Sequence, residues 1–160
     1  MSSNGTKDAA LSELVTFKVA AEEFGVDILS VQEIIRIMEI TKVPKAPEFI
    51  EGVINLRGKV IPVIDFRKRF NMDSREEGKD TRIIVTNISG KILGFIVDSV
   101  SEVLRIPTSS IEPPPPIVAG IESEYINGVG KLDDRLLILI NLDRLLSDSE
   151  AAAADGMANK

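Results

Sequence analysis

The stretch Gly52–Asp65 reads GVINLRGKVIPVID and decides how the rest of the chain is interpreted. Two runs rich in Val and Ile flank the triplet Arg57-Gly58-Lys59. Gly58 can adopt the positive φ that a tight turn between two strands requires. The stretch therefore predicts a β-hairpin.

Two further segment pairs have the same form and predict two more hairpins. Their strands and turns are Thr81–Ile88 and Ile92–Val97 around Ser89-Gly90-Lys91, and Gly128–Leu132 and Leu136–Ile140 around Asp133-Asp134-Arg135. Short helical segments are predicted at residues 30–34, 47–51, 66–70 and 142–146. Each is too short to be stable alone, so each must be held by packing.

The hairpins belong to an internal duplication. Residues 24–37 align with residues 93–106 without a gap at an offset of 69, with six identities in fourteen positions. Residues 48–70 align with residues 124–146 at an offset of 76. Chance similarity between Val- and Ile-rich strands is the alternative, but two blocks in the same order with matching turns favour duplication.

These features predict a mostly β fold of two small closed barrels, because closure removes exposed strand edges. Each copy of about 65 residues would bury little surface alone, so the two copies are expected to share a core. The predicted organisation is a disordered tail over residues 1–12, a first barrel over 13–80, a second barrel over 81–146 and a disordered tail over 147–160. Strand or helix exchange between the two barrels is left open.

Composition excludes several classes of chemistry. The 160 residues include 19 Lys and Arg against 25 Asp and Glu, a net charge of −6, which disfavours nucleic acid as a general partner. The chain has no Cys, His or Trp, so it cannot build disulfides, Cys-ligated metal sites, thiol nucleophiles or Ser-His-Asp triads. We therefore expect no enzymatic activity, no cofactor and no metal. No stretch is apolar enough to span a bilayer, so direct membrane insertion is not expected.

The charged residues offer few candidates for catalysis. Asp27, Glu33, Asp98 and Glu102 could act as acid–base groups, but no positioned base, oxyanion donor or phosphate loop accompanies them. Solvated or salt-bridged carboxylates are the favoured interpretation. The basic cluster Arg67-Lys68-Arg69 is interpreted as a solvated face, too small to bind nucleic acid.

Arg57 and a surplus of apolar residues point instead to protein binding. Arg57 lies at the tip of an apolar hairpin, where its guanidinium could bind a partner carboxylate or carbonyl, or simply fill the turn in water. The aligned residue of the second copy is Asp133, so the cation is not repeated there. Segments 31–38 and 100–106 hold more apolar side chains than two small barrels can bury, and leftover patches of this kind suit protein partners.

Several segments resemble the CheW family of bacterial chemotaxis coupling proteins. They are residues 24–28, 31–34, 47–58, 60–65, 94–100, 136–140 and 142–146. The resemblance implies two SH3-like five-stranded β-barrels and no enzymatic activity. It further implies a cytoplasmic adaptor, monomeric in isolation, that is recruited to membrane receptor arrays. There it would couple the cytoplasmic tip of chemoreceptors to the regulatory domain of the histidine kinase CheA.

The resemblance also implies site residues. A receptor-binding role in a groove between the barrels is implied for Val31, Glu33, Ile34, Arg57, Gly58, Val100 and Val103. Glu33 and Arg57 are expected to form a partly exposed ion pair with a contribution of about 0–1 kcal/mol to stability. The kinase-binding residues stay open, because the run Pro113–Pro116 departs from the family and bears on that surface. The alternative function is a small barrel that binds another peptide or an oligonucleotide.

Overall fold

The computed structural model describes residues 10–73, 77–118 and 120–145, and their fold is mostly β. The strands are β1 (Leu11–Val19), β2 (Glu22–Asp27), β3 (Val31–Arg36), β4 (Ile50–Leu56), β5 (Lys59–Asp65), β6 (Arg82–Ile88), β7 (Lys91–Val97), β8 (Ser99–Pro107), β9 (Ile111–Glu112), β10 (Ile117–Val118), β11 (Ile121–Glu122), β12 (Ile126–Leu132) and β13 (Arg135–Ile140). The helical elements are α1 (Phe66–Arg69), the 3-10 turns Ile28–Ser30, Thr108–Ser110 and Ser123–Tyr125, and a helical turn at residues 142–145.

The strands form two main sheets, which correspond to the two predicted SH3-like barrels. The first barrel has the strand order β3-β6-β7-β5-β4, and the second has the order β8-β1-β2-β13-β12-β9. The second therefore carries a sixth strand, the two-residue β9, in addition to the five predicted. Strands β10 and β11 form a separate small hairpin.

Each barrel is closed by the segment that follows the strand at the start of its sheet order, β3 in the first barrel and β8 in the second. After β3, Thr41 exchanges two backbone hydrogen bonds of 2.8 Å with Val53 of β4. After β8, β9 pairs with β12 in the same way. In each barrel, the segment that follows the strand at one end of the sheet therefore pairs with the strand at the other end, β4 or β12.

The two barrels are interleaved along the sequence. Strands β1 and β2 precede the first barrel in the chain but belong to the second, whereas β6 and β7 follow residue 80 but belong to the first. The predicted boundary between residues 80 and 81 thus falls between strands that are hydrogen-bonded in one sheet. The strand exchange that the sequence left open is present, because each barrel needs strands from both copies to complete its sheet.

The duplication is visible in the strand register. In the first barrel β5 and β7 are parallel, with Val63 opposite Gly94. In the second barrel β13 and β2 are parallel, with Leu139 opposite Gly25. The two glycines are separated by the offset of 69 and their partners by the offset of 76, so these are equivalent pairs. The added length of the second copy includes the run Pro113–Pro116 and the β10–β11 hairpin that follows it.

Equivalent glycines allow the two barrels to close. Both Gly52 and Gly128 lie at a bulge in the hairpin ladder. A Cβ on Gly52 (φ +148°) would lie 2.1 Å from the Thr41 carbonyl oxygen, and a Cβ on Gly128 would lie 2.5 Å from Ile111 Cγ2. The bare backbone therefore lets the closing segment approach at the same position in each barrel.

The three predicted hairpins are confirmed, as β4–β5, β6–β7 and β12–β13. At Arg57-Gly58 and at Ser89-Gly90 both turn residues have positive φ, between 51° and 87°, which matches the right-handed twist of the strands. The Asn55 and Asn87 side chains accept hydrogen bonds from the turn glycine N–H groups at 2.9 and 3.0 Å.

The short helices are confirmed in part. α1 forms within residues 66–70, and residues 142–145 are helical, whereas Leu146 lies outside the described residues. The helices predicted at 30–34 and 47–51 are wrong: residues 31–34 lie in β3, and residues 47–51 form a turn that enters β4. The β-branched side chains of β3 alternate between half-buried and exposed, which is the period of a strand.

Part of the predicted N-terminal tail belongs to strand β1. Leu11 and Ser12, predicted to belong to a disordered tail, pair with Pro107 and Ile106 in the ladder between β1 and β8. Their backbone groups thereby gain partners that a tail would leave to water. The rest of the predicted N-terminal tail, except Ala10, and the predicted tail over residues 147–160 lie outside the described residues.

A shared core joins the barrels. Each barrel has an interior apolar cluster of its own, around Ile61 and Ile83 in the first and around Leu137 and Leu139 in the second. The largest cluster takes residues from both barrels and contains four fully buried phenylalanines, Phe17, Phe24, Phe66 and Phe95. Their packed rings make the two barrels one folding unit, as expected for copies too small to be stable alone.

Candidate functional site

The residues implied by the family resemblance lie on three elements. Val31, Glu33 and Ile34 belong to β3, Arg57 and Gly58 form the β4–β5 turn, and Val100 and Val103 belong to β8. Strands β3 and β8 each stand at one end of their sheet order. The set is therefore divided between two equivalent strands, one in each barrel, and one hairpin tip.

Glu33 and Arg57 form the predicted ion pair. The Arg57 guanidinium donates from Nη2 to Glu33 Oε2. This contact connects β3 to the β4–β5 turn, although β3 and β4 stand at opposite ends of the sheet order. The Arg57 side chain remains 68% exposed and that of Glu33 26% exposed. The pair thus holds the guanidinium in place while leaving most of it accessible to a partner, and its own contribution to stability is small.

Val31 and Val100 occupy equivalent, half-buried positions. Val31 and Val100 are separated by the offset of 69, and both pack against the shared core. Their exposed neighbours Ile34 and Val103 are separated by the same offset. These four side chains therefore repeat one apolar arrangement at the margin of the shared core.

The strand register places the exposed pair on the faces that form the shared core. Ile34 lies directly opposite Ile84 in the β3–β6 ladder, and Val103 lies directly opposite Val15 in the β1–β8 ladder. Ile84 and Val15 are both buried in the shared core. Because residues directly opposite each other project from the same face of a sheet, Ile34 and Val103 extend the two core-forming faces toward solvent.

A second ion pair of the same kind was not predicted from the sequence. Glu102 is the equivalent of Glu33, and it accepts a hydrogen bond of 3.1 Å from Arg135 Nη2. Arg135 also contacts Glu23 through Nε at 2.9 Å. Comparison of Arg57 with Asp133 suggested that no cation was repeated, but the cation is supplied two residues later in the hairpin.

Two exposed apolar residues were also missed. Val60 and Leu136 are exposed, and they are separated by the offset of 76. Each follows a hairpin turn directly, at the second residue of β5 and of β13. The repeat alignment contained this signal, because both positions carry a large apolar residue next to a polar turn.

The basic cluster is not a solvated face, so that interpretation is wrong. Arg67 binds Asp98 through Nε and Nη2 at 3.0 and 2.6 Å, and Lys68 Nζ lies 2.6 Å from Glu51 Oε1. The hydrogen bond to Asp98 raises the pKa of Arg67, and the one to Glu51 raises the pKa of Lys68. Both cations therefore tie α1 to the sheets and present no basic patch to a nucleic acid.

The four candidate acid–base carboxylates all have structural partners. Glu33 and Glu102 bind arginines, Asp98 binds Arg67 and accepts from the Ala20 N–H at 2.8 Å, and Asp27 accepts from the Leu29 N–H at 2.9 Å. Among the residues that the structure describes, no cluster of acidic side chains is arranged to hold a metal ion. The arrangement supports the salt-bridged interpretation over acid–base catalysis.

Asp65 caps α1 from a half-buried position. Its Oδ1 accepts hydrogen bonds from the Arg67 and Lys68 N–H groups at 2.9 and 3.4 Å. Burial raises the pKa of this carboxyl, and the charge of Glu51 acts in the same direction, against the hydrogen bonds to the helix turn. The equivalent residue in the second copy is Asn141, which caps its helical turn without a charge.

Leu29 is a further exposed apolar residue, outside the predicted set. Its side chain is 89% exposed at the centre of the 3-10 turn Ile28–Ser30, which Asp27 caps. With Leu11 it borders a groove of about 440 Å³ on the second barrel, whose other lining residues include Ile111. An apolar side chain held in water on a capped turn is typical of a protein-binding surface.

No helix in the described part of the chain has the length and hydrophobicity to cross a lipid bilayer. The exposed apolar residues include one set at the margin of the shared core and another around Leu29.

The comparisons with known proteins agree with this geometry. The CheW-like domain family matches residues 13–150. The chemotaxis protein CheW of Klebsiella aerogenes is 39% identical over 146 residues, covering 91% of this chain and 88% of that protein. The chemotaxis protein CheW of Treponema pallidum is 33% identical over 142 residues, covering 86% and 84%. The crystal structure of the scaffolding protein TtCheW from Thermoanaerobacter tengcongensis superposes with a TM-score of 0.77 at 49% identity, covering 82% and 84%.

Family membership, rather than the absence of reactive side chains, settles the class of function. The match spans both barrels, and the relatives are named as chemotaxis or scaffolding proteins. The chain therefore belongs to the CheW-like domain family, and it is a non-catalytic scaffold protein of bacterial chemotaxis.

Proposed function

We propose that this chain bridges the cytoplasmic tip of chemoreceptors and the regulatory domain of the histidine kinase CheA. The observation that carries the proposal is the presence of two exposed apolar surfaces, with no residue in common, on one β-rich body. The first consists of the predicted receptor-binding residues on β3, β8 and the β4–β5 turn. The second consists of Leu29, Leu11 and the groove beside them.

The first surface suits a helical receptor tip. Ile34 and Val103 provide exposed aliphatic contacts on both barrels, and Val31 and Val100 pack against the shared core three residues before them. Arg57 adds a guanidinium whose remaining N–H groups can donate to carboxylates or carbonyls of the partner. An apolar strip with a cation at its margin matches an amphipathic helix that carries acidic residues beside its apolar face.

The second surface is our candidate for the kinase contact. Leu29 projects from a turn that its own cap keeps rigid, so little conformational entropy is lost when a partner covers it. The groove beside it is open and partly apolar, and it can accept a side chain from a related barrel. None of the residues that line this groove belongs to the predicted receptor-binding set.

The mechanism follows from geometry alone. Each contact is expected to be small, at or below the usual ~800 Å² per partner, and therefore weak by itself. A rigid body that carries both contacts raises the effective concentration of one partner for the other and so assembles an array. We further propose that the protein is a cytoplasmic monomer when isolated and reaches the membrane only through the receptors.

Chemical-shift mapping tests the two surfaces. A soluble helical-hairpin fragment of a receptor tip and the isolated kinase regulatory domain are added separately to the labelled protein. The receptor fragment is expected to shift β3, β8 and the Arg57 turn, and the kinase domain to shift the region of Leu29 and Leu11. Addition of both is expected to give a ternary complex. Failure to bind either partner, or competition of both for one surface, would overturn the proposal.

A further inference from the structure

Arg69 is a single cation held between the aromatic rings of the two barrels. Its guanidinium carbon lies 5.0 Å from the centre of the Phe49 ring and 4.6 Å from that of Tyr125. Nη2 donates a hydrogen bond of 2.7 Å to the Tyr125 hydroxyl. The Nε atom is buried, and the Phe70 ring covers the group at 5.5 Å. Guanidinium stacking on several rings away from water is directional, unlike apolar packing.

The two rings are equivalent residues of the duplication. Phe49 and Tyr125 are separated by the offset of 76, and each precedes the bulged strand of its barrel. The backbone carbonyl of each accepts a hydrogen bond of 2.8 Å, from the Asp65 N–H and the Asn141 N–H respectively. Arg69 therefore contacts the same site on both barrels at once.

The second copy has no cation at the position equivalent to Arg69. The equivalent of Arg69 is Leu145, which is fully buried in the shared core. An apolar residue at this position is thus compatible with the local fold of the helical turn. What Arg69 adds is a contact across the two halves rather than a requirement of α1.

The orientation of the barrels matters because the proposed receptor surface is divided between them. Ile34 and Arg57 stand on the first barrel, and Val103 stands on the second. The shared core is built from apolar side chains, whose attraction depends on buried area and not on direction. We propose that Arg69 is a positioning residue that fixes the angle between the barrels and hence the spacing of the receptor-binding residues. This inference rests on the proposed receptor contact.

Distance measurements on the full-length chain directly test whether Arg69 holds the two barrels at a fixed angle, a contact called the Arg69 clamp below. The chain has no Cys, so Lys59→Cys and Lys131→Cys introduce one spin label on each barrel without other changes. Arg69→Met is expected to broaden the inter-label distance distribution about twofold. Tyr125→Phe keeps the ring and removes only the hydroxyl acceptor, so it is expected to fold and to broaden the distribution to a smaller extent. Arg144→Met is the matched control, because Arg144 also lies over Tyr125, at 5.9 Å, but with a half-exposed side chain that contacts Glu124.

Binding by the unlabelled variants completes the test. Arg69→Met is expected to weaken binding of the receptor-tip fragment about fivefold or more, through lost preorganisation, and to change binding of the kinase regulatory domain less than twofold. Unchanged distance distributions in both Arg69→Met and Tyr125→Phe would overturn the clamp. A broadened distribution with unchanged receptor affinity would overturn its link to the receptor surface. If the wild-type chain bound no receptor fragment, the proposed function would fail, whereas the distance result would still decide whether Arg69 orients the barrels.

Discussion

Glu33 and Glu102 occupy equivalent positions on β3 and β8, and each is bound by an arginine that stands at a different position of its hairpin. Arg57 reaches Glu33 from the turn itself, whereas Arg135 reaches Glu102 from the first residue of β13. The ion pair has thus been kept across the duplication although the cation is not at the aligned position. This places a guanidinium beside the exposed aliphatic residue of both barrels, Ile34 in one and Val103 in the other.

Charge reversal at Arg57 is expected to separate binding from folding. Arg57→Glu removes an exposed ion pair, so the free energy of unfolding should fall by no more than about 1 kcal/mol. Affinity for the receptor-tip fragment should fall at least about tenfold, because the new carboxylate repels both Glu33 and acidic groups of the partner. Titration calorimetry with the fragment provides the measurement.

The control for this variant is Lys131→Glu, which makes the same change in an exposed ion pair with Glu112, outside the proposed receptor surface. It should leave receptor affinity unchanged. Equal loss of affinity in both variants would indicate a general charge effect and remove Arg57 from the site.

Leu29→Ser is expected to weaken binding of the kinase regulatory domain. The side chain is almost fully in water, so the substitution should change stability by less than about 0.5 kcal/mol. Binding of the kinase regulatory domain should weaken at least about tenfold, as for a central apolar contact. Ile117→Ser is the matched control, since Ile117 is also a large exposed aliphatic residue but lies on the β10–β11 hairpin. Retained kinase binding by Leu29→Ser would exclude this groove.

Loss of Arg135 should be more costly than loss of its exposed partner Glu102. Arg135 contacts Glu102 and also Glu23, whose side chain is only 11% exposed. Arg135→Ala would leave the Glu23 carboxylate in a largely buried position without its cation, and we expect a loss of about 1–2 kcal/mol. Glu102→Ala should cost less than about 1 kcal/mol. Chemical denaturation of the two single variants measures the difference, and equal losses would contradict the account.

Asp65→Asn tests the pH dependence of the α1 cap. Burial raises the pKa of Asp65, so the folded protein binds this proton more tightly than the unfolded chain does. The penalty for the buried charge is therefore present at neutral pH and is lost as the pH falls through the raised pKa. Asparagine keeps the acceptor, as Asn141 does in the second copy, and should raise stability relative to wild type at neutral pH but not below the raised pKa.

The reciprocal variant Asn141→Asp serves as the control, since it introduces the charge at the equivalent cap. It should have the opposite effect on stability at neutral pH. Urea denaturation of wild type and both variants over a series of pH values gives the comparison, and a stability difference for Asp65→Asn that does not depend on pH would contradict the assignment.

Gly52→Ala should disrupt closure of the first barrel. The added Cβ would meet the Thr41 backbone carbonyl, which cannot move without breaking the closing hydrogen bonds, so we expect a loss above about 2 kcal/mol. Gly128→Ala should cost less, because the nearest obstacle is a side-chain methyl of Ile111. Gly78→Ala, with no heavy atom within 4 Å of the new Cβ, is the control. Thermal unfolding that ranked these variants in another order would contradict the closure argument.

Several features of the fold and site could be predicted from the sequence because their causes are local. The turn residues Arg57-Gly58 and Ser89-Gly90 define hairpins whatever surrounds them, and the Glu33–Arg57 pair follows once the family resemblance is recognised. The helix predicted at residues 30–34 is wrong because Val31 and Ile34 are β-branched residues that favour a strand, and β3 gains its partner only from the distant β6. Arg135 was missed because the alignment compared Arg57 only with Asp133. A long side chain two residues further along the hairpin can reach the equivalent carboxylate, Glu102.

The sequence by itself determined that the chain is a duplicated, mostly β protein without Cys or His. Repeats, turn residues and composition can be identified without knowing which residues are in contact in the fold. Only the tertiary structure decided which strands share a barrel, because pairing of β2 with β13 and of β5 with β7 joins residues far apart in the chain. Only the tertiary structure also showed that Arg67, Lys68 and Arg69 are bound internally. Both outcomes depend on how the two copies bury a common core, which no local pattern of residues specifies.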